Sequence, residues 1–123
     1  MVYFSKEHEW VRVEGKTAVI GITEYAAEEL GDITYVEMPR EGDLFARGEV
    51  ICEIESVKAA GEVYAPVSGK VIETNPLLVD EPEQAGENPR QEGWILKMEI
   101  SDPSETGGLM DETDYSRYLE TLG

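Results

Sequence analysis

A mainly β domain, folded as a sandwich or flattened barrel with two short helices, is predicted for this 123-residue chain by three observations. Apolar and polar residues alternate in about seven short runs, as half-buried strands require. Gly, Pro, Asn or Asp punctuates those runs at short intervals. Helical spacing is confined to two places. A chain of this length hides roughly two-thirds of its unfolded surface, enough for one core, so residues 1–123 are expected to form a single domain.

The strand-like runs are WVRVE, TAVIGI, ITYVEM, EVICEIE, VYAPV, KVIET and WILKMEI. Glu14-Gly15-Lys16 supplies the turn between the first two. Thr23 then caps EYAAEEL, where Glu24 suits the positive end of a helix and Leu30-Gly31 is a stop. Further turns are expected over Pro39 to Asp43, at Val67-Ser68-Gly69-Lys70 and at Asn75-Pro76. Asp80 to Gly93, DEPEQAGENPRQEG, carries two prolines and two glycines and reads as a long surface loop. Near the C-terminus Asp111 precedes ETDYSRYLETLG, with Asp114 three residues on. Tyr115, Tyr118, Leu119 and Leu122 make a helical stripe that would pack on the sheet.

The net charge of -17 repels phosphate backbones and anionic lipid, which argues against nucleic acid and membrane surfaces as partners. No run of about 18 apolar residues is present. MVYFSKEHEW leads quickly into strand-like sequence without a signal or transit pattern, so a cytoplasmic protein is expected. The lone cysteine, Cys52, has apolar neighbours and reads as a small buried hydrophobe in a reducing compartment.

Most catalytic motifs fail on inspection. Gly15-Lys16-Thr17 resembles the end of a phosphate-binding loop, but Trp10 stands where that motif needs glycine. His8, the one histidine, lacks partners for a metal set. Neither Cys52 nor any serine has a recognisable base. Trp10 and Trp94 lie in strand-like runs and read as core.

The stretch IESVKAAGEV, residues 54–63, remains. Val50, Cys52 and Ile54 share one strand face, and Val63, Ala65 and Val67 another, so the two runs can pair with residues 57 to 60 at the bend. Lys58 then stands at a hairpin tip. Glu53, Glu55 and Glu62 nearby favour a charged lysine, whereas a Schiff-base enzyme needs a neutral one. An exposed cationic lysine flanked by Ala59, Ala60 and Gly61 is a handle for an outside enzyme that delivers an activated acyl group.

These residues resemble the lipoyl-lysine attachment segment, and the chain resembles the H-protein family of the glycine cleavage system. The match runs through His8-Glu9-Trp10, GITEYA (21–26), LGDI (30–33), VEMP (36–39), ESVKA (55–59), YAPVSG (64–69) and Gly93-Trp94. Biotin carriers, of similar fold, usually flank their lysine with methionines, where Val57 and Ala59 stand here.

The resemblance implies two small antiparallel sheets packed as a barrel-sandwich hybrid, like lipoyl and biotinyl domains, with lipoate in amide linkage to Lys58. It implies a monomeric carrier of one-carbon metabolism and glycine catabolism that is not itself an enzyme. Such a carrier takes the aminomethyl group of glycine from a decarboxylase, the P-protein, to an aminomethyltransferase, the T-protein, and is reoxidised by the L-protein. A lipoate ligase or a lipoyl/octanoyl transferase loads it. The loaded arm is expected to dock in a cleft on Glu9 and Glu62. A relay of lipoyl or octanoyl groups to other complexes is the alternative. Two positions depart from the family: Gly61-Glu62 stands where Ser-Asp is usual, and Arg90 where an aromatic residue is common.

Overall fold

The computed structural model describes residues 1–122. Among these residues, nine strands form two antiparallel sheets. The six-stranded sheet contains β1 (Val2–Phe4), β2 (Glu9–Glu14), β3 (Thr17–Ile22), β5 (Leu44–Phe45), β8 (Gly69–Thr74) and β9 (Leu96–Ile100), in the order β1-β2-β3-β9-β8-β5. The three-stranded sheet contains β4 (Ile33–Glu37), β6 (Val50–Ser56) and β7 (Ala60–Tyr64), in the order β4-β6-β7. This is an open two-sheet hybrid, not a closed barrel.

The main core lies between the sheets. Val11, Ala18, Ile20, Leu96 and Met98 of the larger sheet meet Ile33, Val36, Ile54 and Val63 of the smaller one. β3 is buried on both faces, which explains why TAVIGI is nearly all apolar. Its outward residue Val19 joins Phe4, Trp10 and Tyr115 in a second cluster beneath α4 (Glu112–Leu122).

Both expected helices form. Thr23 Oγ1 accepts from the N–H of Ala26 at 3.4 Å to cap α1 (Glu24–Leu30). Gly31 ends it with φ 78°, a left-handed value that disfavours other residues. Asp111 Oδ1 accepts from Asp114 N–H at 2.8 Å to cap α4. Tyr115 anchors that helix by stacking on Phe4, with centroids 4.7 Å apart and planes 6° from parallel. Leu122 departs from the expected stripe: it is 44% exposed and lies outside the cluster that holds Tyr115, Tyr118 and Leu119.

The polar stretch Asp80 to Gly93 is not a surface loop. α2 (Leu77–Asp80) and α3 (Gln84–Glu87) fold it down, and Leu78 and Ala85 are buried in the main core. Asn75 draws its ends together: the side-chain amide donates to the carbonyls of Glu92 and Trp94, both at 2.7 Å, and its Oδ1 accepts from Leu77 N–H. Trp10 Nε1 donates to the Pro89 carbonyl at 2.8 Å, fastening the middle.

Three smaller expectations also shift. A register irregularity between Val50 and Cys52 buries Ile51 and Cys52 together and leaves Val50 37% exposed, so Val50, Cys52 and Ile54 do not share a face. β7 ends at Tyr64, and Ala65 and Val67 are buried on the connection that follows. Trp94 precedes β9 and is half-buried, with Lys97 Nζ 5.0 Å from its ring centroid. Cys52 is buried as expected, and burial pushes its thiol up to about 12, an inert protonated form. No described helix is long and apolar enough to cross a membrane.

Candidate functional site

β6 and β7 pair from Val50 opposite Tyr64 to Glu55 opposite Ala60, which leaves Val57, Lys58 and Ala59 as the tip of a tight hairpin. Ser56 closes it through both its backbone and its side chain, whose hydroxyl also donates to the Ala59 carbonyl at 3.1 Å. Its N–H donates to the Ala59 carbonyl at 2.8 Å, and its hydroxyl oxygen accepts from Ala59 N–H at 3.0 Å. The Val57 N–H donates to the Asp32 carbonyl at 3.0 Å, which ties the tip to the segment after α1. The backbone is therefore held on both sides while all three side chains project outward, Val57 being 75% exposed.

Lys58 is exposed, and none of the ion pairs among the described residues involves it. Its stem lies along Gly31: a β-carbon there would stand 3.1 Å from Lys58 Cε. Gly31 thus serves both the helix stop and the bed of the lysine. The ammonium is set near the C-terminal end of α1, where the helix dipole favours a cation.

Beside this tip is a cleft of about 170 Å³. Its apolar wall comes from Ile22, Ala26, Leu30, Ile54 and Val63, and both Glu9 and Glu62 line it. The two glutamates sit in different surroundings. Glu62 is exposed and accepts from the Tyr64 hydroxyl at 3.3 Å. Glu9 is 2% exposed, accepts from the Ser5 hydroxyl at 2.6 Å and from Tyr64 N–H at 3.1 Å, and is pushed up to about 7 by burial against the pull of those two bonds.

Sequence reasoning missed four further cleft residues: Glu7, His8, Tyr25 and Glu29. The His8-Glu9-Trp10 motif pointed to the place but not to the role of His8. That residue has φ 68°, a strained value outside glycine. The turn is held because His8 Nδ1 lies 2.8 Å from the Tyr115 hydroxyl, which lies 2.8 Å from Thr23 Oγ1, and the His8 ring is 4.3 Å from that of Tyr25. Burial holds the His8 imidazole below its ordinary value, favouring the neutral ring. α4 is thereby coupled to the cleft wall.

The two departures are accounted for locally. A β-carbon on Gly61 would come 3.1 Å from Leu30 Cδ2, so glycine here lets Leu30 fill the cleft floor. Arg90 joins three elements: it pairs with Glu24 at 2.9 Å and Glu112 at 3.8 Å, and its guanidinium lies 4.7 Å from the Phe4 ring centroid.

A two-sheet hybrid that displays an exposed lysine on a braced hairpin defines a carrier-type domain of the lipoyl and biotinyl class. The family model for glycine cleavage H-protein matches residues 2–122. The chain belongs to the glycine cleavage H-protein family. It is 50% identical over 118 residues to the glycine cleavage system H protein of Thermotoga maritima, covering 96% of this chain and 95% of that one. Over 123 residues it is 52% identical to the probable glycine cleavage system H protein of Pyrococcus furiosus, covering 98% and 91%. A crystal structure of a glycine cleavage system H protein from Mycobacterium marinum superposes with a TM-score of 0.88 at 29% identity, covering 97% of this chain and 96% of that chain.

Proposed function

We propose that this protein is a lipoylated carrier of the glycine cleavage system, with lipoate in amide linkage to Lys58, moving an aminomethyl group from the P-protein to the T-protein. The observation that carries the reading is the braced hairpin with an exposed Lys58, in no ion pair among the described residues, beside a cleft lined by four glutamates, Glu9 and Glu62 among them. When bound, lipoate would supply the sulfur chemistry, a disulfide that opens to take the carbon unit and a dithiol left when the unit is passed on. The chain supplies presentation and protection.

Each part of that role falls to named residues. Ser56 and the Val57–Asp32 bond fix the backbone at the tip, so a modifying enzyme meets the same geometry each time. The four-carbon stem of Lys58 gives reach, and tethering raises the local concentration of the carried group at each enzyme. Glu9 and Glu62 offer negative charge to a cationic amine in the cleft, while Ile22, Leu30 and Val63 keep water from its carbon. Ammonium chemistry and catalysis belong to the P-, T- and L-proteins; this chain is a carrier in the cytoplasm, loaded by a ligase or transferase.

Intact mass after expression with a lipoate ligase tests the attachment. The expected result is a gain of one lipoyl group in the wild type and none in Lys58→Arg, together with loss of glycine-dependent bicarbonate exchange in the variant when P-protein is supplied. An unmodified wild type, or full exchange in Lys58→Arg, overturns the reading. A chain that is lipoylated but inactive with P-protein would support the lipoyl relay instead.

A further inference from the structure

We propose that Ser5 is a positioning residue for the carried group: donating from the groove side of Glu9, its hydroxyl fixes the orientation of that buried carboxylate and keeps it ready for a cation. This rests on the reading that Glu9 meets the loaded arm.

Glu9 is a partition between two cavities. It lines the 170 Å³ cleft beside Lys58 and also a groove of about 490 Å³ on its other side. Ser5 lines the groove and not the cleft. A small turn closes the pair: Ser5 N–H donates to the Glu9 carbonyl at 3.0 Å, and Glu9 N–H donates to Ser5 Oγ at 3.1 Å. With its oxygen accepting from that N–H, the hydroxyl directs its proton to Glu9 Oε1 at 2.6 Å. The other oxygen accepts from Tyr64 N–H at 3.1 Å.

Both partners of the carboxyl group are therefore donors. Two donors suit the ionised, acceptor-only form, whereas a 2% exposed carboxylate would otherwise favour the neutral acid. Ser5 is the one of the two that a substitution can remove, since the Tyr64 donor is backbone. The charged groups facing Glu9 from its surroundings are Lys6, Glu7 and His8 on its own turn, Glu29 from α1, Glu62 from β7 and Arg47 across the groove. Five of the six bear on the same question with opposite signs: Glu7, Glu29 and Glu62 oppose the charged form, and Lys6 and Arg47 favour it.

The experiment is a carbon-13 NMR titration of the Glu9 carboxyl in the unmodified chain, for the wild type, Ser5→Ala and Ser5→Thr. The expected midpoint near 7 in the wild type moves up by about one pH unit in Ser5→Ala and returns in Ser5→Thr. Ser5→Cys, which keeps the volume and offers a weak S–H donor, gives the same upward shift should the alanine variant not fold. An unchanged midpoint in a folded Ser5 variant overturns the inference.

The same variants carrying the aminomethyl-loaded arm are then followed by the amide shifts of Tyr25 and Val63 as pH is varied. Docking in Ser5→Ala is expected to weaken and to move to higher pH, and docking in Glu9→Gln to be lost throughout. Wild-type docking in Glu9→Gln overturns the reading of Glu9 itself, an outcome the titration of the unmodified chain does not share.

Discussion

The indole of Trp10 occupies the space that a side chain on its cross-strand partner Gly21 would need: Nε1 stands 2.7 Å from where a β-carbon of Gly21 would lie. The same Nε1 reaches the Pro89 carbonyl, so one ring joins β2, β3 and the folded stretch after α3.

Gly21→Ala is accordingly expected to displace the indole and break its bond to Pro89. The cost is about 1–3 kcal/mol for overpacking a filled site. Urea unfolding gives the magnitude, and near-ultraviolet circular dichroism shows whether Trp10 has moved.

Stability should depend on pH through Glu9. Its carboxyl, ordinarily near 4.5, is raised to about 7 in the folded chain, so the folded state keeps a proton that the unfolded state releases. The stabilisation is present in full below 4.5 and is lost as pH rises through about 7, an effect of order 3 kcal/mol at full ionisation. Glu9→Gln should flatten the slope between pH 5 and pH 8 in urea titrations. An equally steep slope in the variant would count against it.

Tyr115→Phe keeps the stack on Phe4 but removes the hydroxyl standing between His8 Nδ1 and Thr23 Oγ1. A loss of about 1–2 kcal/mol is expected. α4 should remain docked while the amide resonances of His8 and Tyr25 shift, which NMR can resolve from general loosening.

Arg90→Leu tests the three-way staple. Both ion pairs are partly exposed and the Phe4 contact is not, so a cost of about 1–2 kcal/mol is expected. Raising the salt concentration should shrink the difference from wild type without abolishing it, because screening acts on the pairs with Glu24 and Glu112 more than on the ring contact.

Local signals carried much of this structure. The hairpin that lifts Lys58, the Thr23 and Asp111 caps and the Gly31 stop each depend on residues within a few positions, and each is legible in the amino-acid order. Non-local ties were not. Nothing in DEPEQAGENPRQEG announces that Ala85 is buried, because Asn75 and Trp10, outside that stretch, fold it inward. The resemblance singled out Glu9, but nothing in its neighbourhood announces that it is buried, with Tyr64, 55 residues away, supplying an N–H to it. The cleft needs a turn, a helix and a hairpin at once, so His8, Tyr25 and Glu29 could not be assembled along one stretch of chain.

The bond from Val57 to Asp32 turns the hairpin into a stationary pivot. A group fastened at residue 58 would lose freedom chiefly in its own torsions when it settles, since the main chain beneath is already tied by the Val57–Asp32 and Ser56–Ala59 bonds. Altering the tether's length would then change the radius it sweeps while leaving the centre of the sweep where it was, and the post itself becomes a place on which other appendages can be mounted at a known position.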